Sequence, residues 1–216
     1  MDWFEREFAD TQLMVILRGR GVEQSLRLAE QAWQVGVRMV EIPIQSAADV
    51  AALTVTAHAA TERGLRVGAG TVLTTDQVAA AQQAGASYTV SPGTDEDVIR
   101  ASLEAGLPTM PGVATATDVQ RCLRLGVHWL KAFPAVQLGP QWIHAMLAPF
   151  PRARFVATGG VDPTNAPGFL AAGARAVAIG SALDDPAELA ELLPYRSQPP
   201  SRSGRTPGFA KSAKPL

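Results

Sequence analysis

The segment LRLGVHWLKAF at residues 123–133 contains the pattern that decides the fold. A polar, helix-favouring stretch leads to Gly126, and a short apolar run follows the glycine directly. Glycine immediately after a helix is typical of a left-handed C-cap. The apolar run has the length and composition of a parallel strand that is buried on both faces. The segment therefore predicts a helix that turns directly into a buried parallel strand.

This helix–glycine–strand pattern recurs along the chain. It appears at residues 31–42, 61–70, 82–90, 103–111 and 171–180. With the further apolar runs 14–17 and 154–158, the predicted strands are 14–17, 39–42, 66–69, 87–90, 108–110, 129–132, 154–158 and 176–179. The predicted helices lie near 23–35, 48–62, 75–84, 95–105, 117–125, 140–148, 164–172 and 185–193, with a short N-terminal helix at 2–10 on the barrel floor.

Eight strand–helix units in one chain favour a single-domain α/β fold, the (β/α)8 TIM barrel. We expect this barrel to occupy residues 1–194. A doubly wound open sheet also alternates strands with helices and is the alternative fold. The regular count of eight units favours closure of the sheet.

Composition narrows the classes of partner. The chain is 47% hydrophobic and carries a net charge of −1, so it has no long-range attraction for nucleic acid or an anionic membrane. The first seven residues include four charged side chains where a signal peptide needs an apolar core, and no apolar run reaches the length of a membrane span. We therefore expect a cytoplasmic protein. The single cysteine, Cys122, excludes an intrachain disulfide.

A composition shift marks residues 195–216, which hold five basic residues, four prolines and no acidic residue. Such a segment cannot bury enough apolar surface to offset its chain entropy. We predict a disordered, basic, proline- and serine-rich tail. A tether for nucleic acid or membrane is the less favoured interpretation, because the charges are scattered and the aromatic content is low.

Lys131 is the most informative residue at the strand ends, where TIM barrels place their chemistry. The chain has sixteen arginines and three lysines, and the other two lysines, Lys211 and Lys214, lie in the predicted tail. Arginine stays protonated, whereas a desolvated lysine can become a nucleophilic amine. A lone lysine in an apolar strand therefore indicates a Schiff base with a ketone. The structural alternative is a lysine that extends to solvent from the strand end.

Glu41 is the second unusual charge, inside the apolar run 37–44. Burial of a carboxylate is costly and raises its pKa toward the range useful for proton transfer. We predict a catalytic role for Glu41. A structural ion pair with Arg18 is the alternative, and both could hold together.

Glycine turns follow the last two predicted strands, at Thr158-Gly159-Gly160 and at Gly180-Ser181. Freed backbone amides at this place in a barrel commonly bind phosphate. No metal or nucleotide motif is apparent: His58, His128 and His144 lack ligand spacing, and Gly68-Ala69-Gly70 does not complete a dinucleotide fingerprint.

These residues resemble the 2-keto-3-deoxy-6-phosphogluconate (KDPG) aldolase family, including its 6-phosphogalactonate (KDPGal) branch. The matching segments are ILRG (16–19), VEIP (40–43), VGAGTVL (67–73), VSPG (90–93), MPGVATATD (110–118), LKAFPA (130–135), GPQWIHAM (139–146), ATGGV (157–161) and AIGS (178–181). The resemblance implies a class I aldolase that cleaves a 2-keto-3-deoxy-6-phosphoaldonate to pyruvate and glyceraldehyde 3-phosphate. It also implies a homotrimer that uses neither a metal nor another cofactor.

The resemblance further implies roles for individual residues. Lys131 would form the imine and Glu41 would move protons. Thr71 and Pro92 would line the pyruvate pocket, with Phe133 packed against it. The turns Gly159-Gly160 and Gly180-Ser181 would hold the phosphate.

The sequence departs from the gluconate branch at Gln45, where that branch often has arginine. Arg18 could hold the substrate carboxylate instead, as in the galactonate branch, yet Thr158 resembles the gluconate branch. The preferred C4 epimer therefore stays open. The competing functions are a 4-hydroxy-2-oxoglutarate aldolase, a sugar-phosphate isomerase or epimerase, and a non-catalytic barrel that binds a phosphorylated sugar.

Overall fold

The computed structural model describes residues 2–180 of the 216-residue chain. Within that range strands and helices alternate as the sequence pattern predicts. The strands are β1 Leu13–Ile16, β2 Met39–Pro43, β3 Arg66–Gly70, β4 Thr89–Val90, β5 Thr109–Met110, β6 Gly112–Val113, β7 Trp129–Ala132, β8 Arg154–Thr158 and β9 Ala176–Ile179. The helices are α1 Trp3–Glu7, α2 Gly21–Gln34, α3 Ala47–Glu62, α4 Thr75–Gln83, α5 Glu96–Glu104, α6 Ala116–Arg124, α7 Ala135–Leu138, α8 Pro140–Leu147 and α9 Ala166–Ala171.

The sheet is parallel throughout, with the strand order β5-β4-β3-β2-β1-β9-β8-β7-β6. Its two outermost strands, β5 and β6, are consecutive in the chain and are separated only by Pro111. One segment therefore pairs with β4 on one side and with β7 on the other, so the sheet closes on itself. The (β/α)8 barrel is confirmed, and the open doubly wound sheet is excluded.

The predicted fifth strand, 108–110, is wrong in its extent. It continues past Met110 but is split into β5 and β6, because Pro111 has no N–H to donate to the ladder. Its carbonyl still accepts the N–H of Lys131 at 2.9 Å, so the split does not open the barrel. Nine strands are thus observed at eight barrel positions within residues 2–180.

Other differences are small. The strand predicted at 87–90 is shorter in the structure, where β4 covers only Thr89–Val90. The helix predicted at 2–10 is likewise shorter, since α1 covers only Trp3–Glu7. Helix α7 was not predicted, since it has only four residues and no periodic pattern. The predicted helix 185–193 and the tail 195–216 lie outside the described residues. Of the helices in residues 2–180, none has both the length and the apolar character needed to span a bilayer.

Alternating side chains fill the barrel interior. The buried interior cluster is Phe4, Phe8, Met14, Ile16, Met39, Tyr88, Val90, Met110, Trp129, Val156, Ala176 and Ala178. Side chains at the intervening strand positions belong to a separate buried layer beneath the helices. Helix α1 closes the floor: the ring of Phe8 stacks on Trp129 with centroids 5.1 Å apart. The polar positions of the interior therefore lie at the opposite, carboxyl-terminal end.

Candidate active site

Two buried ionisable side chains lie at the carboxyl-terminal mouth of the barrel, Glu41 on β2 and Lys131 on β7. Each follows a large interior residue by two positions, Met39 and Trp129 respectively, so each faces the interior. Glu41 is 1% exposed and Lys131 is 3% exposed. The mouth therefore presents a primary amine and a carboxyl group inside an otherwise apolar barrel.

Burial raises the pKa of the Glu41 carboxyl above its ordinary value of 4.5. The positive charges of Lys131 and Arg18 oppose this shift and are smaller than the effect of desolvation. Neither carboxylate oxygen has a hydrogen-bond partner among the described residues. The alternative of a structural ion pair with Arg18 is therefore not supported, because no guanidinium N–H reaches the carboxylate. A buried acid with open hydrogen-bonding capacity is suited to proton exchange with a ligand.

Gly70 on β3 provides the space for this carboxylate. A Cβ atom at position 70 would lie 1.9 Å from Oε1 and 2.5 Å from Cδ of Glu41. No side chain fits there unless the carboxylate moves. The glycine therefore fixes where the carboxylate can be.

A cavity of 430 Å³ opens at this mouth, beside the carboxyl-terminal ends of β1, β7, β8 and β9. It brings together seven of the residues predicted from the sequence: Arg18, Lys131, Phe133, Thr158, Gly159, Gly160 and Gly180. The other lining residues are Ile16, Arg20, Val161 and Ala178. The Nζ atom of Lys131 lies 5.1 Å from the centroid of the Phe133 ring, within the range of a cation–π contact.

Arg18 is oriented by two partners on the neighbouring strands. Its Nη1 donates to Oε1 of Gln45, and its Nη2 donates to Oγ1 of Thr71 at 3.4 Å. Gln45 and Thr71 follow β2 and β3, so these bonds direct the guanidinium toward the side of the mouth that carries Glu41. Gln45 thus helps to orient Arg18, and this role needs no positive charge at position 45.

Thr71 has a backbone φ of 56°, in the left-handed region that a β-branched residue rarely adopts. Conformations of this kind concentrate at functional sites, where the surrounding structure enforces them. Its side chain is 9% exposed and accepts the hydrogen bond from Arg18. The Thr71 hydroxyl is thus held at the mouth by the backbone of β3.

The turn at Gly159 and Gly160 has φ values of 98° and 74°. The Gly159 carbonyl accepts the N–H of Val136 at 3.2 Å, and the Gly160 carbonyl accepts Nδ2 of Asn165 at 3.0 Å. In a trans peptide the following N–H points opposite to the carbonyl. The amides of Gly160 and Val161 therefore point away from these partners, and both residues line the cavity. Such amides can bind an anion.

A model of the aldolase family described as KDPG and KHG aldolase matches residues 5–191. The chain belongs to this family. The 2-dehydro-3-deoxy-phosphogluconate aldolase of Treponema pallidum (strain Nichols) is 37% identical over 168 residues, which cover 77% of this chain and 79% of the relative. The 2-dehydro-3-deoxy-6-phosphogalactonate aldolase of Escherichia coli (strain K12) is 36% identical over 172 residues, which cover 79% and 83%.

Among solved structures, the KDPG aldolase of Legionella pneumophila was determined with pyruvate captured as a covalent carbinolamine. It is 26% identical to this chain, with a TM-score of 0.79 and coverage of 88% of this chain and 97% of that one. The KDPG and KHG aldolase fold therefore extends over nearly the whole described range.

Other predicted residues of this aldolase lie at or beside the mouth. Pro92 follows β4 and is partly buried, and its carbonyl oxygen would lie 2.1 Å from a Cβ on Gly112. It is absent from the lining of the cavity among the described residues. The hydroxyl of Thr158 has a long contact of 3.4 Å to the Val156 carbonyl, so it can also bond to a ligand. Ser181 lies outside the described residues.

Two features of the aldolase mouth were missed by sequence reasoning. Arg20 lines the cavity, although it lies in a loop without periodic pattern. Asn165 holds the glycine turn, and its own backbone N–H binds Oδ1 of Asp162 at 3.0 Å. Hydrogen bonds from Thr164 and Asn165 lower the pKa of Asp162. The run Asp162-Pro163-Thr164-Asn165 directly after the glycine pair is a turn signal that could have identified this support.

Metal binding was not expected from the sequence. Within residues 2–180, no group of three or more His, Cys, Asp or Glu side chains is placed to hold a metal ion.

Proposed function

We propose that this protein is a class I, Schiff-base aldolase that cleaves a 2-keto-3-deoxy-6-phosphoaldonate, KDPG or its C4 epimer KDPGal, to pyruvate and glyceraldehyde 3-phosphate. The observation that carries the proposal is the pairing of a buried amine, Lys131, with a buried carboxyl of raised pKa, Glu41, at one barrel mouth. The relatives named for the gluconate and galactonate substrates support this substrate class without distinguishing the epimers.

The catalytic cycle begins with a free amine. Burial raises the pKa of the Glu41 carboxyl at the same mouth, so this group can hold a proton inside the barrel. The deprotonated amine is then a nucleophile, and the neutral acid is a proton donor.

Imine formation uses both groups. The Lys131 nitrogen attacks the C2 carbonyl carbon of the substrate, and the carbonyl electron pair moves to oxygen. Glu41, directly or through a water molecule, supplies the proton that allows this oxygen to leave as water. The product is a protonated imine between C2 and Nζ, and Glu41 returns to the carboxylate form.

Carbon–carbon cleavage follows from the same pair. The Glu41 carboxylate removes the proton of the C4 hydroxyl, and the O–H electron pair forms the second bond between C4 and oxygen, which makes the aldehyde carbonyl. The C3–C4 electrons move into the iminium, which gives an enamine and releases glyceraldehyde 3-phosphate. Protonation at C3 and hydrolysis of the imine then release pyruvate and restore the Lys131 amine.

The two ends of the substrate match the two ends of the mouth. Arg18 can bind the C1 carboxylate through two parallel donors, with Gln45 and Thr71 holding its orientation. The amides at Gly160 and Val161, with the turns at Gly159 and Gly180–Ser181, would hold the phosphate. Phe133 and Pro92 would pack against the pyruvate carbons, and Thr158 would contact the sugar chain.

The competing functions differ in the catalytic groups that they need and in whether they turn over a substrate. An isomerase or epimerase uses paired acid–base groups and does not need an amine nucleophile. A non-catalytic barrel would keep the cavity without turnover. A 4-hydroxy-2-oxoglutarate aldolase would share Lys131 and Glu41, so only measured activity can separate it from the proposed function.

We also propose that the chain acts as a homotrimer on small-molecule substrates without a metal cofactor. The family resemblance supports the trimer, and its mass in solution would test it. The cytoplasmic location stays a prediction from the sequence.

The test is an assay of pyruvate release, coupled to lactate dehydrogenase, with KDPG, KDPGal and 4-hydroxy-2-oxoglutarate. We expect turnover of at least one phosphorylated substrate by the native protein and none by Lys131→Arg, which retains the charge but has no nucleophilic amine. Exposed Arg27→Gln is the control and should remain fully active. Full activity of Lys131→Arg, or no pyruvate from folded native protein, would refute the proposed function.

A further inference from the structure

Two cavities open at the floor of the barrel, at the opposite end from the mouth. Both lie beside the amino-terminal ends of strands, the smaller at Thr109 of β5 and Trp129 of β7, the larger at Arg154 of β8. Their volumes are 310 Å³ and 640 Å³, and His128 lines both, so they adjoin one another. None of their lining residues has a part in the proposed reaction. We call them the aromatic floor cavity and the arginine floor cavity.

The aromatic floor cavity is lined by apolar side chains and by one buried donor. Trp3 and Leu103 line it, and Leu103 is 44% exposed. Trp129 is 2% exposed, yet its Nε1 has no hydrogen-bond partner among the described residues. Asp2 adds a carboxylate, of which Oδ1 accepts the N–H of Phe4 at 2.9 Å. A buried indole N–H normally has an acceptor, so this cavity suits a flat ring that carries one.

The arginine floor cavity is lined by Arg152, Arg154 and Arg175. Glu5 of α1 pairs with two of them: its Oε2 lies 2.7 Å from Nε of Arg154, and its Oε1 lies 2.8 Å from Nη2 of Arg175. Among residues 2–180 the Arg152 guanidinium forms no hydrogen bond or ion pair. Attachment of α1 therefore explains two of these arginines and does not explain the third. With Glu5 in place, the cluster keeps an excess of two positive charges.

The chemistry of the two cavities defines one class of ligand. A single carboxylate would neutralise only part of the excess charge, whereas a chain of phosphates offers oxygens to several guanidiniums at once. A phosphate chain joined to a heteroaromatic ring would fill both cavities, with the ring beside Trp129 and the phosphates beside the arginines. From this arrangement we infer that the barrel floor binds a nucleoside di- or triphosphate. No contiguous motif marks the site, because its residues come from separate segments of the chain.

The first experiment measures the Kd of three probes by isothermal titration in magnesium-free buffer: ATP, inorganic triphosphate and adenosine. We expect ATP to bind about tenfold or more tightly than either of the others, because each of them can fill only one cavity. Equal affinity of ATP and inorganic triphosphate would overturn the role of the aromatic floor cavity. Equal affinity of ATP and adenosine would overturn the role of the arginines. The experiment does not depend on turnover, so it stands apart from the proposed function.

The second experiment repeats the ATP titration on variants. Arg152→Gln should weaken ATP binding about tenfold and leave pyruvate release within about twofold, because Arg152 has no partner to lose among the described residues. Arg27→Gln removes an exposed positive charge elsewhere and should not change the Kd. Arg18→Gln alters the mouth and should not change it either. Unchanged ATP binding in Arg152→Gln, or loss of binding in Arg18→Gln, would overturn the floor site.

Trp129→Phe tests the aromatic floor cavity separately, because it removes the N–H and keeps an aromatic ring. We expect it to weaken ATP binding and to leave the Kd of inorganic triphosphate unchanged. An equal loss for both probes would contradict the placement of the ring. If this interior variant does not fold, the comparison of probes and the exposed Arg152→Gln still decide the proposal. Absence of ATP binding by the folded native protein would overturn it outright.

Discussion

Replacement of Gly70 by alanine tests whether the position of the Glu41 carboxylate matters for turnover. The added Cβ would lie 1.9 Å from Oε1, whereas ordinary van der Waals contact begins at 3.4 Å. The carboxylate must therefore move by about 1.5 Å or rotate away from the mouth. A misplacement of about 1 Å in a catalytic group can cost about 100-fold in rate, or about 2.7 kcal/mol. We expect Gly70→Ala to lower kcat by about 100-fold.

Gly68→Ala is the matched control on the same strand and the same face. Its Cβ would lie 2.2 Å from the ring of Tyr88, which packs against Trp3 and Phe4 of α1 and is not among the residues that line the cavity. Both variants overpack the interior and should lose about 1–3 kcal/mol of unfolding free energy. Only Gly70→Ala displaces the carboxylate.

The assay is pyruvate release per folded molecule, with the folded fraction taken from urea unfolding of each variant. Gly68→Ala should retain kcat within about threefold, while Gly70→Ala loses about 100-fold. If both variants retain native kcat per folded molecule, Glu41 does not need its observed position. The proposed proton transfers by this carboxyl would then be refuted.

Three other substitutions test the charges and hydroxyls of the mouth. Arg18→Ala should lower kcat/KM by about tenfold or more, and Gln45→Ala should lower it by less. Screening by water limits the loss, because Arg18 is exposed in the free protein. The opposite order of effects would show that Arg18 does not bind the substrate carboxylate. Thr158→Val should change the ratio of kcat/KM for KDPG and KDPGal, because its weakly bonded hydroxyl can distinguish the C4 epimers; an unchanged ratio would contradict this. Glu41→Gln should abolish turnover but stabilise the fold increasingly as the pH rises above 4.5. The raised pKa means that the acid stabilises the native fold at low pH, and that this stabilisation is lost as the pH rises through the folded-state pKa. Thermal melting from pH 4 to pH 8 checks the sign, and a difference independent of pH would contradict it.

The fold was predictable because most of the helices that end at a glycine lead directly to a buried strand. The repeated pattern determined the number of barrel positions, and strand-end chemistry identified Lys131 and Glu41. The sequence prediction ended the fifth strand at Met110, and only the ladder shows that the strand resumes after Pro111 as β6. The sequence could not show that Gln45 bonds to Arg18, since 27 residues separate them.

Loop residues were harder to predict than strand residues. Periodicity fixes the direction of a strand side chain, whereas Arg20 reaches the cavity through two left-handed glycines whose backbone angles the sequence does not specify. Gly70 presents a related case. Its place in the segment VGAGTVL was apparent, but the carboxylate that needs the space belongs to another strand. Local pattern therefore pointed to the proposed catalytic residues more readily than to the residues that position them.

The central claim is covalent catalysis by Lys131, and reductive trapping tests it most directly. The native protein is incubated with pyruvate and sodium borohydride, digested, and examined by mass spectrometry. We expect one reduced pyruvate on the peptide that contains Lys131, and no adduct at that peptide in Lys131→Arg. Absence of an adduct, or an adduct confined to Lys211 and Lys214, would contradict the proposed mechanism.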